Sequence, residues 1–481
     1  MKKRTVIILL SVMVLILLGT SGLAIYSVYA QKDTTPVETK TVDENGIRTF
    51  ADWTETEIWE KVPAMLVKGT KIGEEGEYGG GTYVIDVQSS SLDAYRAYLK
   101  TLADAGFTKY VDNGETGIDE AIYTSTYTKD KLVVTVTHVM ATDKTYIYAD
   151  ENQPLSEHLF YKTEYTADNK AGAKNVLHMP ELYFYGNSFI IQLKNGHFIL
   201  NDGGTGADIY YLLDYLETLV EDGQKPVIEA WIISHAHGDH MGVMEQMVKT
   251  EKSFVERFYV EGVYFNEPSK KIFSKWDPEA MGSSAFVNGF AQKAYTTDGG
   301  HPEVYRPQAG QRYYFNDIVL EIPYSQELLI MENYRSNINE SSTWCMYHID
   351  GQKFLLAGDA DIGAIEAVME MYDSTYFQMD LFAVFHHGIN VWDKFTDYTS
   401  FKTLLYTSFR DGSIWVENIW AGRPEENAYL KEQAQEVLHY GDGGNVLTFP
   451  YQVGEAKKLP LCDWRYHNGK CNRTLHGFES Q

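Results

Sequence analysis

One short run of side chains is the clearest candidate for chemistry in this chain. His235, His237, Asp239 and His240 fall within six residues, directly after an apolar segment. Zinc in proteins binds imidazole nitrogen and carboxylate oxygen, and a catalytic zinc site keeps a position open for water. Because alternate residues of an extended segment point the same way, we predict that His235 and His237 bind one cation. Asp239 and His240, beyond the following glycine turn, are predicted to reach a second.

Two later segments carry further candidates, each at the end of an apolar run. Asp359, in LLAGDAD, has two oxygens that can bridge two cations, and His386, in VFHHG, is predicted to complete the second site. Asp202, in LNDGG, is predicted to accept a hydrogen bond from a ligand imidazole, although an Asp before two glycines is often only a turn residue. His387 is either a proton donor or substrate contact, or simply a neighbour of the ligand.

Together these residues predict hydrolysis by a metal-activated water. Two divalent cations about 3.5 to 4 Å apart acidify such a water and neutralise charge developing on a phosphoryl or acyl oxygen. Asp239 is also placed to orient the nucleophile, which makes it a catalytic candidate beside His387. Zinc is favoured by the ligand types, with manganese or iron as alternatives. The predicted ligands are His235, His237 and Asp359 for the first cation, and Asp239, His240, Asp359 and His386 for the second.

In type and order these elements resemble the metallo-β-lactamase superfamily, and the resemblance covers residues 175 to about 450. The HxHxDH run is the most specific part. Membership implies hydrolase activity and an αββα sandwich with its metal site at one edge of two sheets. The positions that match the family's ligands are His235, His237, Asp239, His240, Asp359 and His386.

The chain departs from that family at one ligand. A metal-binding histidine usually precedes the bridging aspartate, but the corresponding interval reads NINESSTW. This segment is similar in style to the hydrolase domain of the DNA-uptake channel ComEC, and a phosphorylcholine esterase branch is also similar. Asn339 and Ser342 are therefore predicted to contact substrate. His348, on a strand, and His301, in a loop, are the candidates for a compensating ligand, and each is more often structural.

Composition limits the partners of the chain. It has 481 residues, 44% of them hydrophobic, which suggests roughly two or three folded domains. A net charge of -26 would repel a long polyanion, so no specific nucleic-acid binding is predicted. Aromatic residues make up 14% of the chain, and Trp392 and Trp420 could line a pocket for a small-molecule or cell-envelope substrate. Most such rings are core residues.

The ends of the chain predict export. Three basic residues precede an apolar run that extends to residue 30, long enough to span a bilayer as a retained anchor, or else to be cleaved as a signal peptide. The basic flank favours a catalytic part outside the membrane, or secreted after cleavage. Residues 456–481 form a C-terminal segment, in which Cys462 and Cys471 either pair as a disulfide or remain free thiols, whereas Cys345 is expected in a core.

The pattern between these ends predicts an α/β (α+β) chain in two parts. Residues 31–49 are a polar linker and 50–160 a small α+β accessory domain, with strands at 82–87, 132–139 and 145–149 and a helix at 92–103. Residues 175–455 are the hydrolase domain, expected as two sheets packed face to face with helices outside. The favoured substrate is a phosphodiester or related phosphoester. Alternatives are an amide, lactam or thioester, or a surface binding protein with a structural metal.

Overall fold

The computed structural model describes ten stretches of the chain. These are residues 57–65, 71–79, 81–113, 117–182, 185–250, 253–268, 282–326, 338–407, 423–440 and 443–459. The predicted membrane segment 1–30, the linker, Trp420 and the two C-terminal cysteines lie outside them. Within these stretches, no helix has the length and apolar character needed to cross a bilayer.

An antiparallel six-stranded sheet with one helix forms the N-terminal part. In spatial order, its strands are residues 71–79, 82–88, 144–151, 132–139, 122–129 and 108–112. Ser91 accepts a hydrogen bond from the backbone of Ala94 and so caps the helix, whose buried tyrosines and leucines pack on one face of the sheet. The predicted strands and helix are found close to their expected bounds. The elements are β1 (Lys71–Gly79), β2 (Thr82–Gln88), α1 (Leu92–Asp104), β3 (Thr108–Asp112), β4 (Ile122–Lys129), β5 (Leu132–Val139) and β6 (Lys144–Glu151).

The second sheet begins with the predicted β-hairpin and continues with parallel strands. Phe189 pairs with Asn201 across the hairpin, and the strand that precedes the His/Asp run pairs in parallel with its neighbours on both sides. The elements are β7 (Val176–Met179), β8 (Phe189–Gln192), β9 (Phe198–Asn201), α2 (Ile209–Glu217), β10 (Val227–Ile233), α3 (Gly238–Lys249), β11 (Tyr259–Val260), β12 (Gly262–Phe265), α4 (Ser283–Lys293) and β13 (Glu303–Tyr305).

The seven strands of the third sheet lie side by side in sequence order, and the sheet contains the second predicted hairpin. Its elements are β14 (Arg312–Phe315), β15 (Ile318–Glu321), β16 (Cys345–Ile349), β17 (Gln352–Leu356), α5 (Ile362–Met371), β18 (Leu381–Ala383), α6 (Asp393–Tyr398), β19 (Thr403–Tyr406), α7 (Pro424–Glu432) and β20 (Glu436–His439). The chain then returns to the second sheet through β21 (Asn445–Thr448) and β22 (Lys457–Lys458).

The second and third sheets pack face to face, with helices on their outer sides. Ile199 and Ile232 of the second sheet share a buried cluster with Tyr347 and Phe354 of the third. Helices α2, α3 and α4 cover the outer face of the second sheet, and α5 and α6 cover that of the third. The predicted α/β architecture with two facing sheets is therefore present.

The N-terminal sheet is part of the same core. Its residues Val84, Tyr146 and Tyr148 belong to the buried cluster that contains Ile365 and Val368 of α5. Helix α5 is thus covered on one side by the third sheet and on the other by the N-terminal sheet. The region predicted as an accessory domain contributes apolar area to the core of the larger part.

Candidate metal centre

The predicted metal ligands lie where a strand is followed by a helix. His235 and His237 lie between β10 and α3, and Asp239 and His240 lie in the first turn of α3. Asp359 lies between β17 and α5, and His386 and His387 lie between β18 and α6. Within the third sheet, β17 and β18 are parallel, so both end at the same edge. Functional side chains of open α/β sheets gather at this carboxyl edge. Residues more than a hundred positions apart in the sequence meet there.

Asp359 lies at the centre of the cluster and is 2% exposed. Its Oδ1 atom is 3.0 Å from His240 Nε2 and 3.5 Å from His387 Nε2. Its Oδ2 atom is 3.8 Å from His235 Nε2 and 3.4 Å from His386 Nε2. The two oxygens of one carboxylate therefore face two different sets of imidazoles.

On the Oδ2 side of Asp359 lie His235 and His237. One ligand atom from each of these three residues lies within 4.8 Å of the others. Nε2 of His235 and Nδ1 of His237 are 3.1 Å apart, so the two rings converge. This is the pair predicted to bind the first cation. The two residues converge in a bend that follows β10 rather than in the extended segment that was expected.

On the Oδ1 side of Asp359 lie Asp239, His240 and His387, again with ligand atoms within 4.8 Å of one another. His387 Nε2 is 3.2 Å from Asp239 Oδ2, and His240 Nε2 is 3.8 Å from the same oxygen. The expected second set contained His386 in place of His387. The structure instead groups His387 with these residues and places His386 on the Oδ2 side.

Backbone conformation explains this division of the two adjacent histidines. His386 has φ 47° and His387 has φ 56°, both in the left-handed region that non-glycine residues rarely adopt. Asn427 Nδ2 donates to the carbonyl of the following Gly388 at 2.9 Å, and Asn390 Nδ2 donates to that of Ala360 at 3.3 Å. The strained turn is held by these amides, as is common at functional sites.

Neighbouring acceptors fix which nitrogen of each ring carries the proton. Asp202 Oδ2 is 2.8 Å from His240 Nδ1, and the carbonyl oxygen of Thr407 is 2.8 Å from His387 Nδ1. Since a carboxylate and a carbonyl only accept, both Nδ1 atoms are protonated and both Nε2 atoms face the cluster. Asp202 has the position predicted for it. Thr407 was missed, because its backbone carbonyl leaves no signal in the sequence.

The geometry around His240 fits a bound cation. With its Nδ1 proton donated to Asp202, neutral His240 presents a lone pair at Nε2, and Asp359 Oδ1 presents lone pairs 3.0 Å away. Within the described residues, neither atom has a hydrogen-bond partner. Buried polar atoms without partners are costly, so a proton or a cation must lie between them. Imidazole and carboxylate donors suit zinc.

The pKa shifts of the clustered side chains also fit a bound cation. Burial opposes ionisation of Asp359, but His240, His386 and His387 overcome that and hold its pKa well below the usual range. Burial also opposes the charged form of His387, yet the carboxylates of Asp359 and Asp239 raise its pKa to about 9. Protons on imidazoles therefore balance the buried carboxylates when no cation is bound, and cations would replace those protons.

The remaining predicted site residues divide into two groups. Asn339 Nδ2 lies 3.5 Å from His386 Nδ1, beside the cluster. Ser342 is 0% exposed and its Oγ accepts a hydrogen bond from the backbone of Asp359 at 3.2 Å, which supports this predicted ligand. Neither candidate for a compensating ligand belongs to the cluster. His348 Nε2 is 3.0 Å from a Glu321 oxygen, and His301 Nδ1 is 2.7 Å from a backbone carbonyl.

Comparison with known proteins adds little to this geometry. No protein-family model and no curated protein matches the chain. Among solved structures, the chain is similar to a metallo-β-lactamase with a HARLDQ motif from Cronobacter sakazakii (Enterobacter sakazakii). The identity is 16%, the match covers 46% of this chain and 80% of that one, and the TM-score is 0.25. Similarity at this level supports no functional assignment.

Proposed function

We propose that this protein is a metal-dependent hydrolase of the metallo-β-lactamase type that binds two divalent cations, with zinc favoured by the ligands. One observation carries the proposal: the two oxygens of buried Asp359 face two separate sets of His and Asp side chains. A carboxylate shared in this way is typical of hydrolases with paired cations. The proposed first subsite is His235, His237, His386 and Asp359 Oδ2, and the second is Asp239, His240, His387 and Asp359 Oδ1.

Solvent access favours a catalytic site over a closed structural one. The side chain of His386 is 21% exposed and that of Asp239 is 13% exposed, whereas His240 and Asp359 are buried. A structural zinc site is usually closed to water, whereas a catalytic site keeps an open position. The partial exposure of one residue from each subsite gives water and substrate a route to the cluster.

The cations, when bound, would supply Lewis acidity toward water and toward a phosphoryl or acyl oxygen. The chain's own residues set the protonation states that cation binding requires. Asp202 and the Thr407 carbonyl accept hydrogen bonds from the protonated Nδ1 atoms of His240 and His387. The Nε2 atom of each ring is therefore left with a lone pair that can bind a cation. We assign to the partly exposed carboxylate of Asp239 the orientation of the attacking water.

A phosphodiester or related phosphoester is the proposed substrate, supported by the similarity of the segment around Asn339 to ComEC-type hydrolases. The runner-up is an amide, lactam or thioester, which the same chemistry would cleave. The basic and apolar N-terminus supports export and a membrane tether, with the site outside the cell membrane or secreted. A non-enzymatic surface protein with a structural metal is the alternative of a different class.

Metal content and turnover test the proposal together. We expect the full-length protein to hold about two cations per chain and to hydrolyse bis-p-nitrophenyl phosphate. His235→Ala and Asp359→Ala should lose cations and turnover, whereas His301→Ala, remote from the cluster, should keep both. Turnover of a chromogenic β-lactam alone would favour the runner-up. One cation or none, without turnover of either compound, would refute the hydrolase and leave the binding protein.

A further inference from the structure

Residues 338–342 lie against the metal-binding cluster as a buried segment. Its first four residues, Ile338–Ser341, form one 3-10 turn in which every residue is buried. Asn339 from this turn reaches to 3.5 Å from His386 Nδ1, and Ser342 Oγ accepts from the backbone of Asp359. The position of this segment therefore determines what His386 and Asp359 contact.

Glu340 fastens the segment to helix α5. Its side chain is 3% exposed, and its Oε1 and Oε2 accept hydrogen bonds from the backbone of Gly363 at 3.1 Å and Ala364 at 2.7 Å. Its own carbonyl accepts from Tyr324 Oη at 2.9 Å. The amides of a first helical turn lack partners within the helix and favour negative charge. Glu340 thus joins the segment to the start of the helix that directly follows the Asp359 turn.

Capping alone does not explain a glutamate at this position. Helix α5 already has its own N-cap, because Asp361 Oδ1 accepts from the backbone of Ile362 at 2.8 Å. Burial, the largest effect, and the nearby acid Asp361 together raise the pKa of Glu340 to about 8, against the opposing effect of the two amides. Burying a carboxylate beside another acid is costly. What the side chain adds is a tie between two segments that are far apart in sequence.

We infer that Glu340 is a positioning residue for the first cation subsite: by tying residues 338–342 to α5, it sets Asn339 against His386 and Ser342 against Asp359. The inference rests on the proposed function, since it requires that His386 and Asp359 bind a cation. Residues that orient metal ligands typically change metal affinity by about 10 to 100-fold when they are substituted. Substituting Glu340 should weaken the binding of one cation more than that of the other.

The test compares Co²⁺ binding by the full-length protein and its Glu340→Gln variant, followed by absorption spectra and chelator competition. Glutamine has one acceptor oxygen where glutamate has two, so it cannot hold the Gly363 and Ala364 amides with separate oxygen atoms. We expect one cation to bind about tenfold or more weakly, with a changed spectrum, and the other, which shares Asp359, to lose less affinity. Glu340→Asp, which keeps the carboxyl group but is shorter, should show the same effect to a smaller degree.

Glu321→Gln is the matched control, because Glu321 is also a buried carboxylate but contacts Arg312, His348 and Tyr376 rather than the cluster. This variant should melt at a lower temperature and bind both cations normally. Unchanged binding of both cations in folded Glu340→Gln would overturn the inference. If that variant does not fold, unchanged binding in Glu340→Asp would overturn it. A wild-type protein that binds no cation would refute the proposed function itself.

Discussion

At the scale of single residues, the two adjacent histidines decide how the cluster divides. His386 lies nearest Asp359 Oδ2 and His387 nearest Oδ1 and Asp239, because both backbones are left-handed. We therefore expect His386→Ala and His387→Ala to weaken different cations, each by at least about tenfold. The remaining Co²⁺ spectrum of His386→Ala should match that of His235→Ala. The remaining Co²⁺ spectrum of His387→Ala should match that of His240→Ala.

His348→Ala serves as the control for this pair. His348 is the other histidine of the third sheet considered as a ligand, and it contacts Glu321 instead of the cluster. The His348→Ala variant should bind both cations as the wild type does. Identical residual spectra in His386→Ala and His387→Ala would contradict the division into two subsites.

At the scale of elements, the ends of β10 and β17 approach each other at Gly358. A Cβ atom added there would lie 2.7 Å from Ser234 Oγ and 2.9 Å from Ser234 Cβ. Ser234 follows β10 of the second sheet, and Gly358 follows β17 of the third, immediately before Asp359. We expect Gly358→Ala to force these strand ends apart, to lower the melting temperature and to weaken the binding of both cations.

Gly351→Ala separates this contact from backbone strain. Gly351, in the turn between β16 and β17, also has a positive φ of 82°, but an added Cβ would meet no atom within 4 Å. Its substitution should cost about 1 kcal/mol from the left-handed backbone alone and leave cation affinity unchanged. Thermal melting and Co²⁺ titration of both variants check this, and equal effects at the two glycines would contradict the close approach.

At the scale of the whole molecule, a network of charged side chains around buried Glu321 connects three layers. Glu321 of β15 accepts from Arg312 Nε at 2.7 Å and lies 3.0 Å from His348 Nε2, and Tyr376 Oη donates to it at 3.1 Å. Arg312 also donates to the carbonyl of Gly117 in the N-terminal part at 2.6 Å. Burial opposes ionisation of Glu321, but His348 and Arg312 overcome it and lower its pKa to about 2.

This network predicts a dependence of stability on pH. A carboxyl group whose pKa is lowered by folding stabilises the protein above its unfolded pKa, and that stabilisation is lost as pH falls toward the folded pKa. In cation-free thermal melts, wild type should exceed Glu321→Gln in melting temperature above about pH 5, and the gap should narrow toward pH 3. A gap that is constant with pH would contradict the prediction.

The sequence alone was sufficient where the relevant geometry is local. The close spacing of His235, His237, Asp239 and His240, between the end of a strand and the start of a helix, was enough to predict that they lie together, since these positions depend only on nearby dihedral angles. Apolar periodicity placed the elements of the N-terminal sheet and both hairpins for the same reason. Asp202 and Asp359 were identifiable because each ends an apolar strand.

Only the tertiary structure decided what depends on long-range packing. The left-handed turn assigns His386 and His387 to different sides of Asp359, a choice that residue types do not encode. The Thr407 carbonyl and the reach of Glu340 to α5 are contacts between distant segments. The N-terminal sheet completes the core around α5 because its apolar face meets that helix only after folding. The chemistry of each side chain follows from its residue type, whereas its partners depend on which strand ends lie at the same edge of the sheets.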